Sequence, residues 1–93
     1  MTDPLLEIAQ GVAALRYRLQ CEENLSVNSG FLAGDPVRAA CKLAEHEAVA
    51  TKEAQRLGFT ADELSRATDA EFKRLEAQAF QAFRERMARR RAE

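Results

Sequence analysis

Apolar residues recur at steps of three and four along the last third of the chain, which is the period of one helical face. The positions on this face are Leu64, Thr68, Phe72, Leu75, Ala79, Phe83 and Met87. Thr60 and Glu63 precede them in a capping-box pattern, in which each side chain can accept a backbone amide of the first turn. The pattern predicts a helix over about residues 61–90, and a second cap signal at Thr68 leaves open a break there.

Two earlier segments show the same period, and each begins with an aspartate followed by a proline. Asp3-Pro4 and Asp35-Pro36 suit helix starts, since aspartate accepts a free amide and proline at the first helical position has no N–H to leave unpaired. They predict helices over about residues 4–23 and 36–57, the second closed by Gly58, a preferred left-handed cap residue. No segment alternates strictly like a strand, so the predicted fold class is all-α.

The predicted loop 24–34 is unusual because it is long and contains apolar residues. Connections in helical bundles usually have about 2–8 residues, and longer ones are often functional or mobile. One interpretation is that the apolar side chains cover the open end of the bundle; the other is that they bind a partner. These side chains belong to Leu25, Val27, Phe31 and Leu32.

The third predicted helix is too long for a chain of this size to cover. At about 1.5 Å per residue it would extend roughly 45 Å, whereas a compact domain of this length has a radius of gyration of about 12 Å. We therefore expect one domain over residues 1–93, a three-helix antiparallel bundle with an extended C-terminal helix completed by oligomerisation. A homodimer is the favoured assembly.

Composition narrows the functional classes. The formal net charge is −1, which argues against a protein that coats polyanions in general. Hydrophobic residues make up 46% of the chain, and many of them are alanines. No apolar run approaches the roughly 18 residues of a membrane span, and there is no signal-peptide core. The two cysteines, Cys21 and Cys41, form no disulfide framework. The expectation is a cytoplasmic protein with reduced thiols, no membrane and no cofactor.

Three charged residues fall inside otherwise apolar helical arcs: Arg16, Glu47 and Glu76. A charge in such an arc is costly to bury unless it is paired. The three could reach water at the rim of the bundle or form one internal salt bridge. Alternatively, they could form a small ligand-binding or enzymatic site, with Arg16 holding an anion and a glutamate accepting a proton.

Other candidate residues carry weaker signals. His46 is the single histidine, and Leu43 occupies the position where a helical metal site would need glutamate, so no metal is predicted. Tyr17 could stack on a partner, although a lone tyrosine at a helix edge more often packs its ring. The sequence offers no base beside either cysteine, so we predict no catalytic residue. Whether the protein is an enzyme stays open, and the sequence favours a non-enzymatic function.

An arginine cluster occupies the C-terminal end of the third predicted helix. Cations there favour the helix dipole, but they could also contact nucleic-acid phosphates. The first functional hypothesis is a small non-enzymatic regulator, adaptor or inhibitor that acts through a self-associating bundle and the 24–34 loop. Nucleic-acid association through the cluster and a ligand site at the charged trio are the alternatives. The cluster consists of Arg84, Arg86, Arg89, Arg90 and Arg91.

Overall fold

The computed structural model of the chain consists of three α-helices and describes residues 3–29 and 35–92. Helix α1 covers Pro4–Ser29, α2 covers Pro36–Arg56 and α3 covers Ala61–Ala92. No strand occurs within the described ranges. The all-α prediction is therefore confirmed.

The two aspartate-proline starts are formed as the sequence predicts. The backbone N–H of Leu5 donates to Asp3 Oδ1 over 3.0 Å, and that of Arg38 donates to Asp35 Oδ1 over 3.0 Å. Each aspartate thereby satisfies an amide that has no partner within its own helix. The Asp35 N–H in turn donates to Glu22 Oε2 over 2.8 Å, which joins the start of α2 to α1.

Helix α2 ends in a Schellman motif around Gly58, which has φ of 95°. The Gly58 N–H donates to the Gln55 carbonyl over 3.0 Å, and the Phe59 N–H donates to the Ala54 carbonyl over 2.9 Å. Glycine adopts this left-handed conformation without the Cβ clash that other residues suffer. The half-buried Phe59 then packs against the core, so the motif also sets the direction in which the chain leaves α2.

Helix α3 begins with the predicted capping box and continues without a break. Thr60 Oγ1 accepts from the Glu63 N–H over 3.1 Å, and Glu63 Oε1 accepts from the Thr60 N–H over 3.1 Å. At the second cap signal, the Thr68 hydroxyl donates to the Leu64 carbonyl over 2.7 Å. This bond lies within the helix, so Thr68 packs as a buried helical residue and does not start a new helix.

The core lies along α1, which packs against both α2 and α3, while α2 and α3 touch each other only sparsely. Alanine supplies much of the buried apolar surface, so the helices approach closely with little side-chain volume between them. Gly11 lies where α1 and α2 come close together, because a Cβ built there would be 3.1 Å from His46 Nε2 of α2. The buried residues are Ala9, Val12, Ala13, Leu43, Ala50, Ala54, Leu64 and Thr68.

Helix α1 is longer than the sequence pattern predicts. It continues to Ser29, past the predicted end at residue 23, so Leu25 and Val27 lie on a helix and not in a loop. The predicted end at residue 23 is wrong because no glycine or proline, the residues that commonly end a helix, occurs between residue 23 and Gly30. Phe31 and Leu32 lie outside the described residues. The helix starts lie at the predicted positions, and the other two ends lie one or two residues from theirs, with α2 ending at Arg56 and α3 at Ala92.

The described chain is elongated. Its radius of gyration is 16.1 Å and its principal extents are 52 × 34 × 18 Å, compared with about 12 Å for the radius of gyration of a compact domain of this length. Buried residues of α3 are confined to its first half, where Leu64 and Thr68 contact the core. Every residue from Phe80 to Ala92 is exposed, so the second half of α3 is largely uncovered.

Candidate functional site

The second half of α3 carries a row of exposed apolar side chains, here called the apolar strip: Phe80, Phe83 and Met87. Their exposed fractions are 62%, 51% and 37%. Steps of three and four residues place them on one side of the helix. Large apolar side chains that are singly exposed need no explanation, but a row of three on one face is typical of an interaction surface.

Polar side chains border the apolar strip. The Arg84 guanidinium lies 5.8 Å from the centroid of the Phe80 ring, a cation–π contact. Gln81 Nε2 donates to Glu85 Oε1 over 3.2 Å, but this pair lies on the side of α3 turned away from the strip. Glu76 stands one turn before Phe80 on the same side of α3, and its side chain is exposed. An apolar centre with a polar rim is the usual anatomy of a protein interface.

The predicted arginine cluster lies on exposed helix and divides into two groups, with Arg86, Arg89 and Arg90 on one side of α3 and the other two arginines on another side. Arg89, Arg90 and Arg91 are consecutive, and successive helical residues point about 100° apart. Arg84 and Arg86 are likewise directed to different sides of α3. The segment 84–92 contains five arginines and one glutamate, a formal charge of +4. Nucleic-acid association through the cluster stays a prediction.

The charged trio does not converge. Arg16 Nη1 of α1 contacts Asp69 Oδ1 of α3 at 2.7 Å, and its guanidinium lies 5.9 Å from the centroid of the Phe72 ring. Arg16 and Glu47 both line a small cavity of about 100 Å³ where the three helices meet, but Glu76 lies outside that lining. The structure thus brings two of the three residues together and gives the arginine a different partner.

The small cavity offers little chemistry for a ligand. The Arg16 charge is offset by Asp69, and Glu47 is exposed to solvent. Asp69 was not predicted from the sequence, although it lies two turns before Glu76 on the same side of α3. The signal that could have found it is the requirement of a half-buried arginine for an acid on the facing helix.

Tyr17 belongs to the packing between α1 and α3. Its ring meets Phe72 edge-on, with centroids 6.3 Å apart and planes at 60°. Burial raises the pKa of Tyr17 above its usual value, and the neighbouring Cys21 and the negative charge of Glu76 raise it further. The Tyr17 side chain is half-buried in this packing, and its stacking on a partner stays a prediction. Among the other predicted partner residues, Leu25 is exposed on α1.

A cleft between α1 and α2 was not predicted by the sequence. It encloses about 250 Å³ and is lined by three cationic residues, Arg18, Arg38 and Lys42, together with Glu22 and Asp35. Both acids accept backbone amides at the start of α2. The cationic residues are exposed, so they lie at the mouth of the cleft and remain accessible to solvent counterions.

The described part of the chain shows no cluster of three or more histidine, cysteine, aspartate or glutamate residues that could hold a metal ion. Within the same ranges, no helix has both the length and the apolar character needed to cross a membrane. Cys21 and Cys41 are exposed free thiols. His46 is exposed on α2 and lies beside Gly11, as described above.

Comparison with protein-family models, with curated proteins and with solved structures finds no match to this chain. A functional interpretation therefore depends on the geometry of the molecule. Of the regions described above, the apolar strip is the one that combines a row of exposed large apolar side chains with charged residues, Arg84 and Glu76, beside it.

Proposed function

We propose that this protein is a small non-enzymatic interaction protein that associates with itself through the apolar strip of α3. The observation that carries the proposal is the exposure of Phe80, Phe83 and Met87 on one side of a helix that projects beyond its own core. Homodimerisation would cover these side chains. A regulatory or adaptor role would then depend on the assembled form.

The small core supports this proposal. Four of its eight buried residues are alanines, so the monomer buries few large apolar side chains. The aromatic residues of α3 lie towards or beyond the edge of that core, with Phe72 half-buried and Phe80 and Phe83 exposed. A second copy would add apolar burial that the single chain does not supply.

An antiparallel order of consecutive helices also belongs to this proposal. Glu22, in the second half of α1, contacts Asp35 at the start of α2, and Gly11, in the first half of α1, lies beside His46 in the middle of α2. In this arrangement α2 returns along α1. Helix α3 then runs opposite to α2, and its last turns extend beyond this shorter helix.

The energetics favour a weak assembly. Fully burying a large apolar side chain gains about 1.5–3 kcal/mol. The three side chains of the strip are already about half buried in the single chain. Burying the rest on both chains therefore gains roughly 5–9 kcal/mol of free energy. Association costs about 4–15 kcal/mol in lost freedom. The strip alone therefore comes close to offsetting this cost, and the polar border decides whether the dimer is stable.

Sedimentation equilibrium at micromolar concentration tests the proposal. We expect the unmodified chain to sediment above its monomer mass of 10.4 kDa. Phe83→Ala should shift the equilibrium towards the monomer, since it removes the central side chain of the strip. Gln81→Ala is the matched control, because it alters an exposed residue of the same helix that points about 200° around the helix axis from Phe83, away from the strip.

Circular dichroism separates loss of association from loss of fold. We expect the helical signal of the Phe83→Ala monomer to persist, because Phe83 is outside the buried core. A single 10.4 kDa species for the unmodified chain across the micromolar range would refute the proposal. The same masses for Phe83→Ala and the unmodified chain would show that another surface mediates assembly.

A further inference from the structure

Charge is distributed unevenly along α3. Residues 62–76 contain five acidic and three basic side chains, a formal charge of −2, whereas residues 84–92 carry +4. Two charges of opposite sign also bracket the apolar strip. Glu76 lies one turn before Phe80, and Arg91 lies one turn after Met87 on the same side of the helix.

A second copy can dock on the strip in two orientations, and these differ in electrostatic energy. In the parallel orientation, Glu76 lies beside Glu76 of the partner subunit, and Arg91 beside Arg91 of the partner subunit. Both pairings bring like charges together. In the antiparallel orientation, each Glu76 faces Arg91 of the partner subunit. Opposed charges on facing helices favour one orientation and disfavour the other.

The spacing of the strip fits the antiparallel orientation as well. With a two-fold axis beside Phe83, Phe80 faces Met87 of the partner subunit. Glu76 and Arg91 lie equally far from the same axis on either side. One register therefore covers the apolar side chains and matches both charges. An isologous contact of this kind also closes on itself, so it limits assembly to a dimer.

We propose that the partner of the apolar strip is a second copy of this chain in antiparallel orientation, with Glu76 of each subunit paired to Arg91 of the partner subunit. This inference rests on the self-association proposed above. Charge complementarity along α3 selects the orientation, because the apolar side chains alone would accept either one. Helix α3 thus forms the interface, and its charges set the relative orientation of the two subunits.

Charge reversal tests the orientation. In the antiparallel dimer, Glu76→Arg places two cations together at each end of the interface. We therefore expect the dissociation constant of the dimer to rise by roughly tenfold or more. Adding Arg91→Glu to the same chain should restore most of the affinity. In a parallel dimer, Glu76→Arg replaces one like-charged pair by another and should leave the affinity unchanged. Glu45→Arg on α2 makes the same charge change away from the strip and serves as control.

A distance measurement provides an independent readout. With Cys21 and Cys41 replaced by serine, a nitroxide at Ala77→Cys reports on the separation of the two copies of α3. The antiparallel dimer separates the labelled positions by about 20 Å along the helix axis, from a rise of about 1.5 Å per residue. A parallel dimer places them about one interhelical distance apart, near 8–10 Å.

The outcomes distinguish the two proposals. Weakening by Glu76→Arg, recovery in the double variant and a long label distance support the antiparallel dimer. A stable dimer that tolerates Glu76→Arg and shows a short label distance overturns the orientation but leaves self-association intact. A chain that remains monomeric at all concentrations tested overturns self-association, and the orientation with it.

Discussion

The turn between α2 and α3 depends on the left-handed backbone of Gly58, and Gly58→Ala measures that dependence. An L-residue in the left-handed region costs about 1–2 kcal/mol relative to glycine. An added Cβ at Gly58 meets no atom within 4 Å, so the backbone alone supplies the penalty. Alanine also restricts the unfolded chain, which offsets about 0.4–1 kcal/mol. The expected net loss of stability is about 1 kcal/mol.

Urea denaturation followed by circular dichroism provides the assay, because a loss of this size moves the midpoint without changing the slope. Gly11→Ala is the matched control. It makes the same substitution inside α1, where alanine favours the helix by about 1 kcal/mol. Its Cβ would lie 3.1 Å from His46 Nε2, but His46 is exposed and its ring can turn away. We therefore expect Gly11→Ala to be neutral or stabilising.

The comparison of the two variants can refute the reasoning. If Gly58→Ala and Gly11→Ala shift the midpoint in the same direction by the same amount, backbone conformation is not what distinguishes the two sites. If Gly58→Ala is neutral, the Schellman bonds of Gly58 and Phe59 must persist with alanine in the turn. In that case glycine would not be required to end α2.

Three further predictions concern the helix start, the tyrosine and the interhelical ion pair. Thr60→Ala removes the acceptor for the Glu63 amide and should cost about 1 kcal/mol, measured as a lower urea midpoint; an unchanged midpoint would contradict the cap. The pKa of Tyr17 is raised in the folded state. The contribution of the neutral side chain to the free energy of unfolding is therefore complete below the pKa of the unfolded chain, near 10, and it falls as the pH rises through the pKa of the folded chain. Tyrosinate absorbance should appear at higher pH in the native than in the urea-unfolded chain, and coincident titrations would contradict this. Arg16→Met and Asp69→Asn should couple in a double-mutant cycle by about 0.5–1 kcal/mol, because the pair is partly exposed, whereas additive losses would show that it contributes nothing.

Helix starts and one helix end were predictable because their chemistry is local. The cap at Asp35 and the box at Thr60 each need only residues within one turn, and the bonds form as the sequence predicts. Gly58 is equally local, because its role depends on its own φ. The long extent of α3 was also predictable from periodicity, since no residue within it interrupts the helical pattern.

Interactions between helices were less predictable. Projection of each helix identified Arg16 as a charge on an apolar arc, but the register between α1 and α3 decides that its partner is Asp69 and not Glu76. The same limit explains why the cleft containing Arg18 and Arg38 was missed, since it exists only where α1 and α2 come together. A single sequence specifies the faces of its helices more firmly than the register in which those faces meet.

The apolar strip arises from a difference in helix length. Helix α3 has 32 residues and α2 has 21, about 48 Å and 32 Å at the rise of an α-helix. A core of small side chains holds the first half of α3, and Leu64 and Thr68 are buried there. Phe80 and Phe83 follow in the uncovered half, where a helix serving only to complete its own fold would carry polar residues. Exposed aromatics there are most simply explained by a second surface that covers them, and the antiparallel second copy proposed above would supply that surface.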